Sequence, residues 1–269
     1  MTKFHMTKMT AKRTTAIVGV VFPSRCRAVA DVAAVGLALC CAAWARQPEP
    51  LATQTATPPQ AVWTPTSGAP KGLLTAYEGE RHDRFISRAR SGEIDIVFFG
   101  STETEMWLWR ERGLSVWDRT FGTRKAADFG TQGTRSSSLQ WRMRNGELDG
   151  YTAKLVVLQA QIGGFDDYVP QYSAIIAEIR ARQPQAKILL FGIFPRNRAR
   201  KWSQANATLY ALGDNENVFF IDIGDRFFRP DGSFNNEMWN YAGPDVGMQK
   251  RAFEVWAEEL QPWLNRFVR

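Results

Sequence analysis

Apolar runs too short to be helices recur along this chain. They are IVFF within IDIVFFG (94–100), LVVLQA (155–160), KILLFGIF (187–194) and NVFFIDI (217–223). They are apolar at consecutive positions rather than at every second one, the pattern of strands buried on both faces, as in parallel sheets. A shorter strand is expected near 125–129. Between the strands lie longer stretches with helical spacing: 76–91, a helix opening at 102, 134–145 stopped by Asn145-Gly146, 168–182, 202–212 and about 247–266. Strand and helix in alternation predict an α/β fold, a doubly wound five-stranded parallel sheet with helices on both faces. Ligands meet such sheets at the carboxyl ends of the strands. Chemistry is therefore expected near 100–104, 129–135, 161–166, 194–198 and 224–244.

The first 45 residues read differently. A basic segment (Lys3, Lys8, Lys12, Arg13, Arg25, Arg27) precedes the apolar run VAAVGLALCCAA (32–43) and the small-x-small triplet Ala43-Trp44-Ala45. That order is a secretory signal peptide, and Asp31 makes the run too short for a membrane span. Leu39 before Cys40 fits a lipoprotein signal poorly. The expected localisation is periplasmic or secreted, with no stable membrane anchor after cleavage. Residues 46–74, rich in Pro, Thr, Ala and Gln, read as a flexible tether, and 75–269 as one folded domain.

Six basic residues and Asp31 in the leader account for +5 of the formal net charge of +7, leaving +2 for the rest. A balance so close to neutral argues against nucleic acid as a partner. Cys26, Cys40 and Cys41 are all in the leader, as is His5, so residues 46–269 hold no cysteine and one histidine, His82. No metal or cofactor motif is present.

Several segments, in order, carry a resemblance. IDIVFFGSTETEMW (94–107) is similar to a strand followed by G-D-S-x-T/V. DFGTQGTRSSSLQWRMRNGELDGYTAKLVVL (128–158) is similar to the run N-F-G-I-G-G-D…L-W-R-L-x-N-G-E-L…P-K-V-V-V-L. With PQAKILLFGIFPR (184–196) and FIDIGDRFFRPDGS (220–233), the chain from about 80 to 266 resembles the SGNH (GDSL) hydrolases, in the platelet-activating-factor-acetylhydrolase-like branch. The resemblance implies a flavodoxin-like three-layer α/β/α sandwich. It also implies ester hydrolysis by a serine nucleophile, a histidine base oriented by aspartate, and an oxyanion hole.

Carried over position by position, the nucleophile falls on Thr102, with Ser101 in place of aspartate. The oxyanion glycine falls on Gly133, which matches, and the oxyanion asparagine on Gly163. The triad aspartate and histidine fall on Asn240 and Gly243, and no histidine follows residue 82. The expectation is a hydrolase fold without its triad, in a ligand-binding or scaffold role. The alternative is a divergent ester hydrolase using Thr102 with Glu103, Glu105, Asp166 or Asp245 as its carboxylate base. An acylated glycan or small ester is the expected ligand under either reading.

Ser101, Glu103, Arg135, Asp166 and Arg196 are the expected ligand contacts, arginines at strand ends suiting anionic groups. Thr102 is expected as a helix N-cap, Glu103 and Glu105 as solvated first-turn acids, and His82 as a surface or packing residue on the outer helical layer.

Overall fold

The computed structural model describes residues 68–161, 168–196, 201–242 and 245–268. Every described residue lies in one compact unit of the chain. Five parallel strands form its sheet: β1 (Ile96–Phe99), β2 (Ala126–Asp128), β3 (Leu155–Gln159), β4 (Lys187–Phe191) and β5 (Val218–Ile221). Their order is β2-β1-β3-β4-β5. Phe99 of β1 is level with Leu158 of β3, and Phe98 with Asp128 of β2, so the carboxyl ends of these three strands lie side by side.

Period-two alternation divides each strand between two cores. Ile96 and Phe98 face one side, with α3 (Leu114–Phe121) and α7 (Lys250–Phe267). Val97 and Phe99 face the other, with α1 (Ala76–Arg90), α4 (Ser136–Arg142), α5 (Tyr168–Arg182) and α6 (Lys201–Leu209). This is the expected three-layer sandwich.

Three expectations need correcting. The helix opening at 102 is one turn long: α2 (Thr102–Glu105) passes into a 3₁₀ turn at Met106–Leu108. The chain then doubles back so closely that a methyl on Gly113 would stand 2.6 Å from Trp107 Cα. The helix near 134–145 ends at Arg142 and closes through a wide turn, Met143–Glu147, in which Gly146 takes φ +113°. The last helix starts at Lys250, because residues 247–248 form β7 (Gly247–Met248), antiparallel to β6 (Trp239–Asn240). Strands of two residues leave no period to read.

Trp107, the last residue of the first resembling block, is fully buried in the first core. Its ring lies 4.9 Å from Phe253, 5.1 Å from Trp256 and 6.0 Å from both Phe98 and Trp117. It joins the turn after β1 to α7. Trp107→Ala is predicted to cost about 3–5 kcal/mol, read from urea unfolding followed by circular dichroism.

Candidate functional site

Strand β1 runs into Gly100, where a side chain is excluded: a Cβ there would lie 2.0 Å from Thr104 Oγ1. The chain reverses over Ser101 and enters α2 at Thr102. Ser101, not Thr102, holds the N-cap position, and its buried side chain makes no capping bond, which corrects the expected Thr102 cap. Thr102 is the first helical residue and half-buried, and its side chain has no hydrogen-bond partner among the described residues.

Glu103 and Glu105 are not solvated. Both are buried, at 3% exposure, and both are committed. Glu103 Oε1 accepts from Arg196 Nε at 3.0 Å and from Arg196 Nη2. The Arg196 guanidinium in turn lies 5.3 Å over the Trp239 ring of β6. Glu105 Oε1 accepts from the Tyr77 hydroxyl, and Oε2 from the Gln132 amide at 2.5 Å, with Arg81 Nη1 at 3.8 Å. Burial, and then the Glu105 carboxylate, push the Tyr77 phenol up to about 12. Acids favoured by the helix dipole in a first turn look alike in sequence whether wet or buried. What buries these two is the shortness of α2 and the turn packed onto it.

That turn is the glycine loop after β2. A Cβ on Gly130 would stand 2.4 Å from the Glu105 amide, and the Thr131 amide donates to Gly100 O at 3.4 Å. Gly133 is exposed with φ +78°, a backbone only glycine adopts freely, and its amide donates to no described residue.

A wholly buried network holds the loop from behind. Arg142 donates Nε and Nη2 to Glu147 at 2.8 and 2.9 Å, Nη2 also to Phe129 O at 2.6 Å, and Nη1 to Thr134 Oγ1 at 2.9 Å. His82 Nδ1 lies 2.8 Å from Glu147 Oε1. Of the two places expected for His82, surface or packing, it takes the second: it is a fully buried residue of α1 beside Glu147, with Trp141 5.1 Å away. The wide turn at Met143–Glu147 is what returns Glu147 to Arg142. The W-R-x-x-N-G-E spacing is therefore a support for the glycine loop, a role that spacing alone did not disclose.

Asp128, at the end of β2, accepts from the Gly130 amide at Oδ1, at 2.7 Å, while its buried Oδ2 has no hydrogen-bond partner. Burial pushes its carboxyl up to about 8, against the opposing pull of the Gly130 amide, Arg81 and Arg142. The resembling run has Asn where this chain has Asp128, and Asp where it has Thr134.

The remaining expected contacts are not all brought together. Arg196 joins Glu103. Arg135 stands apart, exposed, its Nη2 3.4 Å from Gly72 O. Asn240 Oδ1 accepts from the Ala242 amide at 3.1 Å, closing a local turn rather than orienting a base. Asp245 pairs with Arg112 at 2.7 Å. Gly163, Asp166 and Gly243 lie outside the described residues. Among the described residues no group of three His, Cys, Asp or Glu side chains could hold a metal ion, and no helix is long and apolar enough to cross a membrane.

No protein-family model matches the chain. Among curated proteins it is 27% identical over 172 residues to platelet-activating factor acetylhydrolase IB subunit alpha2 of Rattus norvegicus, covering 60% of this chain and 73% of the relative. It is also 27% identical over 171 residues to subunit alpha1 of Homo sapiens, covering 60% and 72%. Among solved structures, a GDSL-like lipase from Bacteroides thetaiotaomicron superposes with a TM-score of 0.54 at 15% identity, over 69% of this chain and 97% of that one.

Two predictions follow from the buried charges. Glu147→Leu, which leaves Arg142 buried and unpaired, is expected to cost about 3–5 kcal/mol in chemical unfolding. Asp128 binds its proton more tightly folded than unfolded, so its contribution to stability is present in acid and lost as pH rises through about 8. Asp128→Asn keeps the acceptor for Gly130 and removes the charge. Its Tm should exceed wild type above that pH, with the gap closing on acidification; a gap independent of pH would contradict the assignment.

Proposed function

We propose that this chain, a relative of the SGNH hydrolases of the platelet-activating-factor-acetylhydrolase type, uses the fold to hold a ligand and not to hydrolyse it. The observation that carries the reading is the state of its acids and bases. A hydroxyl at the nucleophile turn needs a base within hydrogen-bond reach. Thr102 has no side-chain partner among the described residues. His82 Nδ1 lies against Glu147, Glu103 Oε1 accepts from Arg196 while its Oε2 has no partner, Glu105 accepts from Tyr77 and Gln132, and Asp245 pairs with Arg112. The methyl group of threonine further crowds a turn where serine would be smaller.

The leader adds a place. A basic segment, an apolar run and Ala-Trp-Ala support export, so the folded unit works in the periplasm or outside the cell. There it meets acylated glycans and small esters, the ligand class that the relatedness to acetylhydrolases favours.

A second reading, a divergent ester hydrolase, is favoured by one observation: Gly133 keeps the left-handed backbone and a free amide at the oxyanion position. Release of nitrophenol from short-chain aryl acetates separates the two. The full chain, Thr102→Ser and Thr102→Ala should all match buffer alone. Turnover abolished by Thr102→Ala would establish the second reading and overturn the first.

A further inference from the structure

Asn145-Gly146 is the only Asn-Gly pair in the chain, and it lies in the wide turn that returns Glu147 to Arg142. Asparagine is among the thermolabile residues, and a following glycine makes it more so. The glycine nitrogen, with no side chain beside it to crowd the approach, attacks the asparagine Cγ and closes a cyclic imide.

The fold leaves this pair open to that reaction. Asn145 is exposed, while Glu147, two residues on, is wholly buried. The backbone has already left the helix, with Asn145 at φ −109°, ψ 36° and Gly146 at φ +113°. Ring closure requires Asn145 to turn about ψ and release Trp141 O, to which its Nδ2 donates at 2.7 Å. The other ties on the outside of the turn are Arg144 Nε to Glu178 at 2.8 Å and Arg182 Nη2 to Arg144 O at 3.1 Å. All are exposed, and exposed polar ties hold weakly, so the turn opens locally without global unfolding.

The two Asp-Gly pairs are less reactive. Asp149 is gripped by Arg182 Nη1 at 2.9 and 3.1 Å, and Asp231 Oδ1 accepts from the Ser233 amide at 2.9 Å. A carboxylate is also a poorer electrophile than an amide.

We propose that Asn145 is a site of spontaneous deamidation, and that its conversion loosens the support of the glycine loop. Solvent base takes the Gly146 amide proton, and the nitrogen bonds to Asn145 Cγ. The Cγ–Nδ2 bond breaks and Nδ2 leaves as ammonia, the proton returning through solvent. Water then opens the imide. Attack at Cγ breaks the new bond and leaves aspartate. Attack at the backbone carbonyl carbon breaks the original peptide bond and leaves isoaspartate, the chain now running through Cβ and Cγ. Nothing is oxidised or reduced.

Both products bear on Glu147. Aspartate sets an acceptor where a donor met Trp141 O. Isoaspartate adds a backbone carbon just before Glu147, which meets Arg142 at 2.8 and 2.9 Å and His82 at 2.8 Å. A buried ion pair is costly once its geometry is lost. Arg142 also holds Phe129 O and Thr134, so the slack reaches the glycine loop. The event is independent of any chemistry at Thr102.

The test is incubation of the full chain in mildly alkaline heavy-oxygen water, folded and, separately, unfolded in urea. Heavy oxygen marks the carboxylates made during incubation, and peptide mapping places them. Asn145 should convert ahead of every other asparagine, at a folded rate within about a hundredfold of the unfolded one. The converted protein, separated by its added negative charge and labelled by an isoaspartyl methyltransferase, should unfold at lower urea than the unconverted. Asn145→Gln, whose longer side chain closes a ring far more slowly, should abolish conversion and keep a midpoint close to wild type. Asn145→Asp, with the acceptor but not the longer backbone, should lose less stability than the isoaspartyl chain. An Asn145 that stays intact in the folded protein while the unfolded chain converts it overturns the site. Converted chains with the wild-type midpoint overturn the link to Arg142, and an Asn145→Asp midpoint as low as the isoaspartyl one overturns the role of the lengthened backbone.

Discussion

The candidate site depends on one interaction that never reaches it. Arg142, Glu147 and His82 form a polar network with no exposure, inside a core that includes Phe85, Leu139 and Met143. Burying an ion pair is costly unless every donor and acceptor is used, and here Arg142 answers Phe129 O and Thr134 as well as Glu147. Those two residues bracket the glycine loop. The network therefore fixes the path of Gly130–Gly133, the loop fixes Gln132, and Gln132 takes hold of Glu105 in α2. The backbone of the Thr102 turn inherits its position from an arginine outside it.

The charged side chains around the turn form a connected set. Glu103 has taken Arg196, and Arg196 has taken the ring of Trp239, next to the hairpin where the triad aspartate and histidine were expected. Charge that could activate a hydroxyl is instead used to anchor loops.

Much of the fold was legible because its strands are buried on both faces. LVVLQA and KILLFGIF cannot place a polar face toward water, so a parallel sheet under two helical layers was the consistent solution. The β6–β7 hairpin was not legible, since Trp239–Asn240 and Gly247–Met248 are too short to show alternation. His82 was legible in principle. Glu78, His82, Phe85 and Ala89 follow helical spacing and share the buried face of α1, so a histidine on that stripe belongs to the interior. Its partner was not, because Glu147 returns to it only through the wide turn after Arg142. The burial of Glu103 and Glu105 depends on how soon α2 ends, and the doubling-back at Gly113 that follows it has no periodic signature.

The central claim is that the hydroxyl of Thr102 is not a nucleophile. It is tested most directly by treating the full chain with a fluorophosphonate, which reacts covalently only with activated hydroxyls, and measuring the intact mass and the modified peptide. The account predicts an unmodified protein after prolonged exposure, with Thr102 unlabelled. A stoichiometric adduct on Thr102, lost in Thr102→Ala, would contradict it and would mean that a base reaches the turn.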